Sequence, residues 1–146
     1  SFVWVLSVVI AVMAWFVVIN TAPDQERLVT VGDPDKLARV FDNLLRNAVS
    51  YSVPGGRIRL TARGEGKRIQ VRVENQGQGI PEGELSNIFQ RFYRLDAARS
   101  SATGGAGLGL AIAKEIVESH GGIIAAESTG DTVVFQVTLA GKKISK

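Results

Sequence analysis

The sequence predicts an α/β two-layer sandwich, with a mixed sheet of about five strands and about three helices on one face of it. Two observations support this class. Short segments that alternate apolar and polar residues come in pairs joined by turn residues, which is typical of β-hairpins. Longer segments with apolar residues at a 3.6-residue period separate these pairs, which is typical of amphipathic helices. Because each kind of element has one apolar face to bury, the two layers are expected to pack against each other.

The first twenty residues are the most apolar part of the chain. Residues 2–19 contain one polar residue, Ser7, and no charge. This length is close to the ~20 apolar residues that cross a bilayer core, so we expect a transmembrane helix over residues 1–20. A buried hydrophobic element, or a segment foreign to the folded domain, is the alternative. The first basic residues, Arg27 and Lys36, follow the apolar run, which favours a cytoplasmic location for the rest of the chain.

Residues 21–26 form a short polar linker, and residues 27–139 form one folded domain. Its predicted elements, in order, are a strand over 27–31, a helix over 34–51, strands over 57–62 and 67–74, a helix over 81–92, a helix over 108–119, and strands over 123–128 and 132–139. The remaining residues, 140–146, are a polar tail that we expect to fray.

The helix over 34–51 has the clearest start. Asp33 is a capping acceptor, and Pro34 suits the first helical position. Asn43 and Asn47 lie one turn apart at the edge of its apolar stripe, although asparagine is a poor residue for a helix interior. The pair is explained either by amide oxygens aimed at a cation or phosphate-bound water, or by two solvated or locally bonded amides. The residues of the stripe are Leu37, Val40, Phe41, Leu44, Leu45 and Ala48.

The composition excludes several classes of function. The chain has 146 residues, a formal net charge of +3 and no cysteine. The lack of cysteine excludes disulfides, CxxC redox pairs and cysteine zinc sites, and it fits a reducing compartment. Basic and acidic residues alternate without a long block, so a nucleic-acid groove is not indicated. No GxxxxGK[ST] motif is present, which excludes a P-loop, and the HRD and DFG motifs of protein kinases are missing.

A glycine-rich stretch before the third predicted helix is the main candidate for ligand binding. Residues 94–110, RLDAARSSATGGAGLGL, carry Arg94 and Arg99 and then four glycines. Glycines let backbone N–H groups approach a ligand, and the helix that follows presents free N–H groups with a partial positive charge. Two guanidinium groups beside such a site complement several negative charges. The stretch favours a polyphosphate site under a loop that opens and closes, with a plain glycine-rich loop as the alternative.

Four segments in a fixed order carry a resemblance. They are an N-x-x-x-N helix, an N-x-G-x-G loop after a strand, an F-x-x-F segment and a G-x-G-x-G-L stretch: GDPDKLARVFDNLLRNAVSYS, VENQGQGIP, IFQRFYRLDAARS and GGAGLGLAIAKEIVESHGG. Over residues 27–139 the chain resembles the ATP-binding catalytic domain of the sensor histidine kinases, in the gyrase/Hsp90/MutL-like ATPase superfamily with its Bergerat-type fold. The sequence of these segments is most similar to that of the VanS-type sensor kinases of vancomycin resistance, above all at residues 91–117.

The resemblance implies a role for each matching residue. Asn47 resembles the ligand of the Mg²⁺ ion that bridges the ATP phosphates, and Asn43 the residue that positions the γ-phosphate. Arg94 and Arg99 match phosphate-facing positions, which completes a catalytic set with the two asparagines. Asn75 stands at the adenine-reading position. The remaining nucleotide-binding positions are Tyr51, Gly77, Gly79, Ile80, Gly105, Gly107, Leu108 and Gly109.

The resemblance also implies structural roles for three residues. Phe89 and Phe92 would anchor the glycine-rich stretch to the core. His120, the sole histidine, matches a structural histidine of the family, so it is not expected to accept a phosphoryl group.

Three departures from the family pattern bear on function. Asn75 replaces the usual aspartate, so the hydrogen bond to the adenine amine lacks charge assistance. This loss is expected to weaken ATP binding by about 1 kcal/mol. Ser50 replaces a common basic residue, whose phosphate contact is missing or supplied by Arg46. No dimerising hairpin with a phosphoaccepting histidine fits before Asp33, and the usual first helix and strand of the ATP domain are not evident.

The resemblance implies Mg²⁺-dependent phosphoryl transfer from ATP to a histidine on a separate dimerisation domain, and from there to an aspartate of a response regulator. It further implies a protein of the bacterial cell membrane, anchored through residues 1–20, with this domain in the cytoplasm and a role in vancomycin-resistance signalling. Two alternatives remain: a non-catalytic, nucleotide-responsive signalling module with a degenerate site, and a slow ATPase. The ATPase would need a general-base glutamate where Asn43 stands.

Overall fold

The computed structural model describes residues 16–21, 26–93 and 108–145, which contain two α-helices, seven strands and one 3-10 turn. The strands are β1 (Phe16–Thr21), β2 (Glu26–Val29), β3 (Arg57–Glu65), β4 (Arg68–Gln76), β5 (Ile123–Thr129), β6 (Thr132–Ala140) and β7 (Lys142–Ser145). The helices are α1 (Pro34–Tyr51) and α2 (Gly109–Ser119), and the 3-10 turn covers Glu82–Glu84.

Five of the strands form one sheet in the order β1-β3-β4-β6-β5. β1 pairs with β3 in parallel, and the other three pairings are antiparallel. The sheet is therefore mixed, and α1 and α2 pack together over one of its faces. The predicted α/β two-layer class is confirmed. β2 and β7 form a separate antiparallel pair.

The core lies between the sheet and the two helices. β4 shows how the pattern builds it, because Ile69, Val71 and Val73 are buried while Arg72, between them, is exposed. All six residues of the predicted apolar stripe of α1 are buried against this layer. Each of the five larger side chains of the stripe contributes about 1.5–3 kcal/mol when it leaves water, so the stripe fixes the orientation of α1.

The N-terminus of α1 is held from two directions. Oδ1 of Asp33 accepts the N–H groups of Asp35 and Lys36, at 3.0 and 3.2 Å. The N–H of Asp33 in turn donates to Nε2 of His120 at 3.1 Å, while Nδ1 of His120 lies 2.8 Å from the carbonyl of Ile116. A neutral imidazole with its proton on Nδ1 satisfies both contacts. His120 therefore joins the end of α2 to the start of α1, which is a structural role.

Strand β1 corrects the predicted transmembrane helix for residues 16–20. Its register places Phe16 opposite Arg57 and Thr21 opposite Ala62. A run of β-branched residues favours a strand, and the edge of β3 offers hydrogen-bonding groups that the run can pair with. The chain thus has a strand at Phe16–Thr21, before the predicted first strand, that the sequence had not indicated. Residues 1–15 lie outside the described residues, and no helix in the described ranges is long and apolar enough to cross a membrane.

Strand β7 corrects the frayed tail predicted over residues 140–146. It pairs with β2, with Lys142 opposite Val29. Gly141 permits the approach, because a Cβ there would overlap Cδ1 of Ile69 and lie 2.5 Å from the carbonyl oxygen of Val29. The sequence predicts no strand here because the run is short and polar. The pairing depends on β2, which is more than a hundred residues earlier.

The segment after β4 is not the α-helix predicted over residues 81–92. Its backbone hydrogen bonds link mostly residues three apart, such as the N–H of Gln90 with the carbonyl of Asn87 at 3.0 Å. Gly83 and Asn87 lower the helix propensity of the segment. Phe92 adopts a φ of 65°, which ends the series of turns. The described residues therefore contain two α-helices instead of three.

We predict that His120→Ala lowers the free energy of unfolding by about 1 kcal/mol, because the N–H of Asp33 loses its hydrogen-bond partner, whereas the carbonyl of Ile116 keeps its bonds from Oγ of Ser119 and from the backbone N–H of residue 120. Urea denaturation followed by circular dichroism measures this change. Glu118→Ala is the control, since its ion pair with Lys114 is exposed and contributes at most about 0.5 kcal/mol. Equal stability of the two variants would contradict the role assigned to His120.

Candidate functional site

One face of α1 carries three of the predicted site residues. Asn43, Asn47 and Tyr51 are spaced by four residues, so they share a face over about 12 Å of helix. All three are half-buried beside the buried stripe. Because the stripe is packed on the sheet, it also fixes the direction of this face. We call these three residues the α1 line.

At the first end of the α1 line, Asn43 connects α1 with α2. Its Nδ2 donates to the carbonyl of Gly109, the first residue of α2, at 3.1 Å. This contact leaves Oδ1 of Asn43 as an acceptor beside the first turn of α2, where the capping residue Leu108 supplies no side-chain hydrogen bond. The free N–H groups of a first helical turn carry a partial positive charge. This end of the line is therefore suited to an anion.

Gly109 is not required by packing in this arrangement. A Cβ there would meet Cγ of Asn43 at 3.8 Å, which is an ordinary contact. The predicted lid-shaping role of Gly109 is therefore not tested by its described contacts.

Asn47 lies in the middle of the α1 line and makes no side-chain hydrogen bond to a described residue. The described ranges contain no group of three or more His, Cys, Asp or Glu side chains that could hold a metal ion. A metal at Asn47 would therefore rely on its amide oxygen and on oxygens of a ligand. Arg46, which would have to replace the phosphate contact missing at Ser50, pairs through Nε with Asp42 at 2.8 Å and is exposed.

At the other end of the α1 line, Tyr51 meets the first glycine segment. A Cβ on Gly77 would overlap the carbonyl oxygen of Tyr51, so this approach requires glycine. Ser52, the next residue, forms an isolated β-bridge with Gly77. The N–H of Gly77 donates to the carbonyl of Asp131 at 2.7 Å. The end of α1, the end of β4 and the turn between β5 and β6 therefore meet at one glycine.

The turn between β5 and β6 also positions the residues that follow. A Cβ on Gly79 would lie 2.5 Å from the carbonyl oxygen of Gly130. The N–H of Ile80 donates to Oγ of Ser128 at 2.8 Å. Ser128 and Asp131 thus support this loop, a role that the sequence had not indicated. A serine at a strand end and an aspartate in a turn signal a hairpin and nothing more.

Asn75 ends the inward-facing row of β4. The three inward residues before it are apolar and buried, and Asn75 itself is only 1% exposed. Neither Oδ1 nor Nδ2 of Asn75 has a hydrogen-bond partner among the described residues, and neither atom is in contact with solvent. A buried amide without a partner costs about 1–3 kcal/mol of stability. An apolar side chain would be the stable choice here, so the amide is a candidate ligand-binding group.

The segment after the glycine loop is tied to α2 and β6. Phe89 packs edge-to-face against Phe135 with ring centroids 6.1 Å apart, and Nζ of Lys114 lies 5.9 Å from the centroid of the Phe89 ring. Arg91 and Glu115 form an exposed ion pair at 3.4 Å. Phe89 therefore packs against the core as predicted, and residues 94–107 of the glycine-rich stretch that it would anchor lie outside the described residues.

Phe92 does not share that role, and the prediction for it is wrong. Its side chain is 69% exposed, because the left-handed backbone at this residue interrupts the preceding series of turns. The next residue, Tyr93, donates a hydrogen bond to Glu84, and this bond raises the pKa of Tyr93 to about 12. The Tyr93 phenol is therefore neutral at physiological pH and fixes the last described residue before the glycine-rich stretch.

Four predicted site residues, Arg94, Arg99, Gly105 and Gly107, lie outside the described residues. The other predicted site residues form three groups, and the second and third groups each contact one end of the first. The groups are the α1 line, with Asn43, Asn47 and Tyr51; the end of β4, with Asn75, Gly77, Gly79 and Ile80; and the start of α2, with Leu108 and Gly109.

The fold and the order of these segments match a known family model. Residues 32–141 match the model described as histidine kinase-, DNA gyrase B- and HSP90-like ATPase. The chain belongs to this ATPase family. The match covers the segments on which the resemblance was identified, and it supports ATP as the nucleotide of this ATPase domain.

Curated relatives of the ATPase domain are sensor kinases. It is 54% identical over 114 residues to the sensor protein VanS of Enterococcus faecium, covering 78% of this chain and 29% of that protein. It is 46% identical over 115 residues to the sensor protein VanSC of Enterococcus gallinarum, covering 79% and 32%. For the sensor histidine kinase WalK of Bacillus subtilis the identity is 42% over 122 residues, covering 80% and 20%. The chain thus spans about a third or less of the length of these relatives.

Solved histidine kinases share the fold. The mycobacterial sensor histidine kinase MprB has a TM-score of 0.75 at 28% identity, covering 89% of this chain and 84% of that one. The catalytic domain of the histidine kinase ThkA has a TM-score of 0.74 at 29% identity, covering 86% and 78%. ThkA in complex with the response regulator protein TrrA gives 0.71 at 28% identity, covering 86% and 34%. The predicted histidine kinase catalytic-domain fold is confirmed.

We predict that Asn75→Leu raises the free energy of unfolding by about 1 kcal/mol, since leucine has a similar size and leaves no buried amide unpaired. Urea denaturation measures the change. The control is Gln70→Leu in the same strand, which removes an outward-facing amide and shifts stability by less than about 0.5 kcal/mol. A less stable Asn75→Leu variant would mean that the amide is satisfied in the folded chain.

Proposed function

We propose that this ATPase domain is the catalytic domain of a two-component sensor histidine kinase, which donates the γ-phosphate of ATP to a histidine on a separate dimerisation domain for relay to a response regulator. The observation that carries the proposal is the α1 line, which contacts a glycine segment at each end. Its length of about 12 Å suits an extended nucleoside triphosphate, with the base at one end and the terminal phosphate at the other.

The base would bind where β4 ends. Asn75 offers a buried amide oxygen to the adenine amine, and this pairing would satisfy an acceptor that has no partner among the described residues. Gly77 and Gly79 carry no side chains, so the backbone can approach a flat ring, with Ile80 and Tyr51 at its border. The energy lost by burying the amide in the free domain would be recovered when the base binds.

The phosphates would lie along Asn47 and Asn43 toward the first turn of α2, whose N–H groups favour negative charge. Oδ1 of Asn47 would hold Mg²⁺ together with phosphate oxygens, which is a coordination that this ion prefers. When bound, Mg²⁺ neutralises the charge that develops during phosphoryl transfer. Arg94 and Arg99 join this set on the family resemblance alone.

The residues of the site favour transfer over hydrolysis. Hydrolysis needs a general base near the phosphates, but the side chain at that point is the amide of Asn43, whose Nδ2 is bonded to Gly109. A neutral imidazole attacks without such a base. The bond from the γ-phosphorus to the bridging oxygen breaks as the bond to the imidazole nitrogen forms, and ADP leaves. His120 is not the acceptor, because both of its ring nitrogens are hydrogen-bonded within the fold.

We further propose that the full-length protein acts in vancomycin-resistance signalling at the bacterial cell membrane, with this domain in the cytoplasm. The similarity to the sensor proteins VanS and VanSC supports the signalling role. The apolar residues 2–15 that precede β1 are fewer than the ~20 that cross a bilayer core, so they would supply only part of an anchor N-terminal to the domain. The response regulator found in complex with ThkA supports a regulator as the downstream partner.

We predict that ATP binds in a Mg²⁺-dependent manner and that Asn47→Ala weakens this binding at least about tenfold, because one ligand of the metal is lost. Isothermal calorimetry with and without Mg²⁺ measures both quantities. Gln70→Ala, on the outward face of the sheet, is the matched control and leaves the affinity unchanged. Failure of the folded chain to bind ATP at millimolar concentration would overturn the proposal.

We predict that radiolabelled γ-phosphate passes from ATP to a separately supplied histidine-bearing hairpin of VanS, and that Asn43→Ala and Asn47→Ala each lower this rate at least about tenfold. A gel assay of the labelled hairpin measures the transfer. Gln70→Ala again serves as the control. ATP binding without any transfer would favour the non-catalytic signalling module, and release of free phosphate without an acceptor would favour the slow ATPase.

A further inference from the structure

No hydrogen bond among the described residues fixes the orientation of the Asn75 amide. Among the described residues, neither its oxygen nor its nitrogen has a hydrogen-bond partner. Its neighbours in the sheet register, Ile58 and Val133, are apolar and buried, so they cannot favour one orientation by hydrogen bonding. Rotation by 180° about the last side-chain bond exchanges the donor and the acceptor in place. The group can thus present either pattern to a ligand from the same position.

The two classes of purine differ in the pattern that they present. Adenine has an amine donor at C6 and an acceptor at N1, whereas a 6-oxopurine has an acceptor at C6 and an N–H donor at N1. An amide complements both edges, in opposite orientations. A carboxylate has acceptors only, so with either base one of its oxygens meets an N–H donor while the other faces an acceptor, whereas the amide satisfies both positions of both bases.

From this reversible donor and acceptor we infer that Asn75 makes the base subsite accept 6-oxopurine nucleoside triphosphates, those of inosine and guanosine, alongside ATP. The inference rests on the proposed function, because it places the base at the end of β4. It goes beyond that function in assigning Asn75 as the residue that sets base selectivity. The glycines at positions 77 and 79 add no side chain that would pair with one class of base and not the other.

Inosine triphosphate is the sharpest probe, because its base differs from adenine only at C6 and N1, whereas guanine also carries an amine at C2. Calorimetric titration of the whole chain with ATP and with inosine triphosphate, both with Mg²⁺, gives the ratio of the two affinities. We expect the two affinities to lie within about tenfold of each other, since each base makes the same number of hydrogen bonds to Asn75. Measurement of this ratio requires only the wild-type chain.

Asn75→Leu tests the assignment to the residue. We expect this variant to bind ATP and inosine triphosphate each at least about tenfold more weakly than the wild-type chain, because leucine makes no hydrogen bond to either base. Gln70→Leu removes an amide on the outward face of β4 and should leave both affinities unaltered.

The outcomes separate the inference from the proposed function. ATP binding with inosine triphosphate more than about a hundredfold weaker in the wild-type chain would overturn the inference and leave the function intact. An Asn75→Leu variant that binds inosine triphosphate as tightly as the wild-type chain would likewise overturn it. Failure of both nucleotides to bind a folded chain would instead refute the proposed function. A misfolded Asn75→Leu variant leaves the decision to the wild-type ratio.

Discussion

Burial of the apolar stripe of α1 against the sheet is the interaction on which the rest of the site depends. Rotation of the helix would expose several stripe residues at once, each worth about 1.5–3 kcal/mol. The line of Asn43, Asn47 and Tyr51 beside the stripe therefore has one direction relative to β4 and α2. The contact of Asp33 with His120 holds the start of the same helix. Packing energy thus preorganises polar groups that take no part in the core.

The last inward position of β4 is occupied at the expense of stability. The strand alternates regularly until its last inward position, where an amide replaces the apolar side chain that the core would favour. Close backbone contacts surround that position, and a glycine is required where the carbonyl of Tyr51 approaches. Residues that lower the stability of the fold are found mainly at functional positions. Here the loss of stability is confined to one residue, so the surrounding sheet keeps its full set of pairings.

Elements at the margins of the fold depend on partners distant in the sequence. β1 has the composition of a membrane segment, and its strand conformation follows from the edge that β3 presents. β7 is a polar run that pairs with β2, although the two strands lie near opposite ends of the domain's sequence. The segment after the glycine loop has apolar residues at helical spacing, yet Gly83 and Asn87 weaken a helix there and the chain forms 3-10 turns. Periodicity describes only the element itself, so it cannot report such partners.

The sequence by itself determined the layer class, the bounds of α1 and α2 to within one residue, the central strands and the order of the site segments, because these follow from local periodicity, caps and glycines. It also predicted Asn43, Asn47 and Asn75 as candidate site residues. Only the tertiary structure decided that the amide of Asn75 is buried without a partner among the described residues, that Ser128 and Asp131 support the glycine loop, and that Phe92 is exposed. These facts depend on which surfaces meet, and surfaces meet only once distant segments have packed.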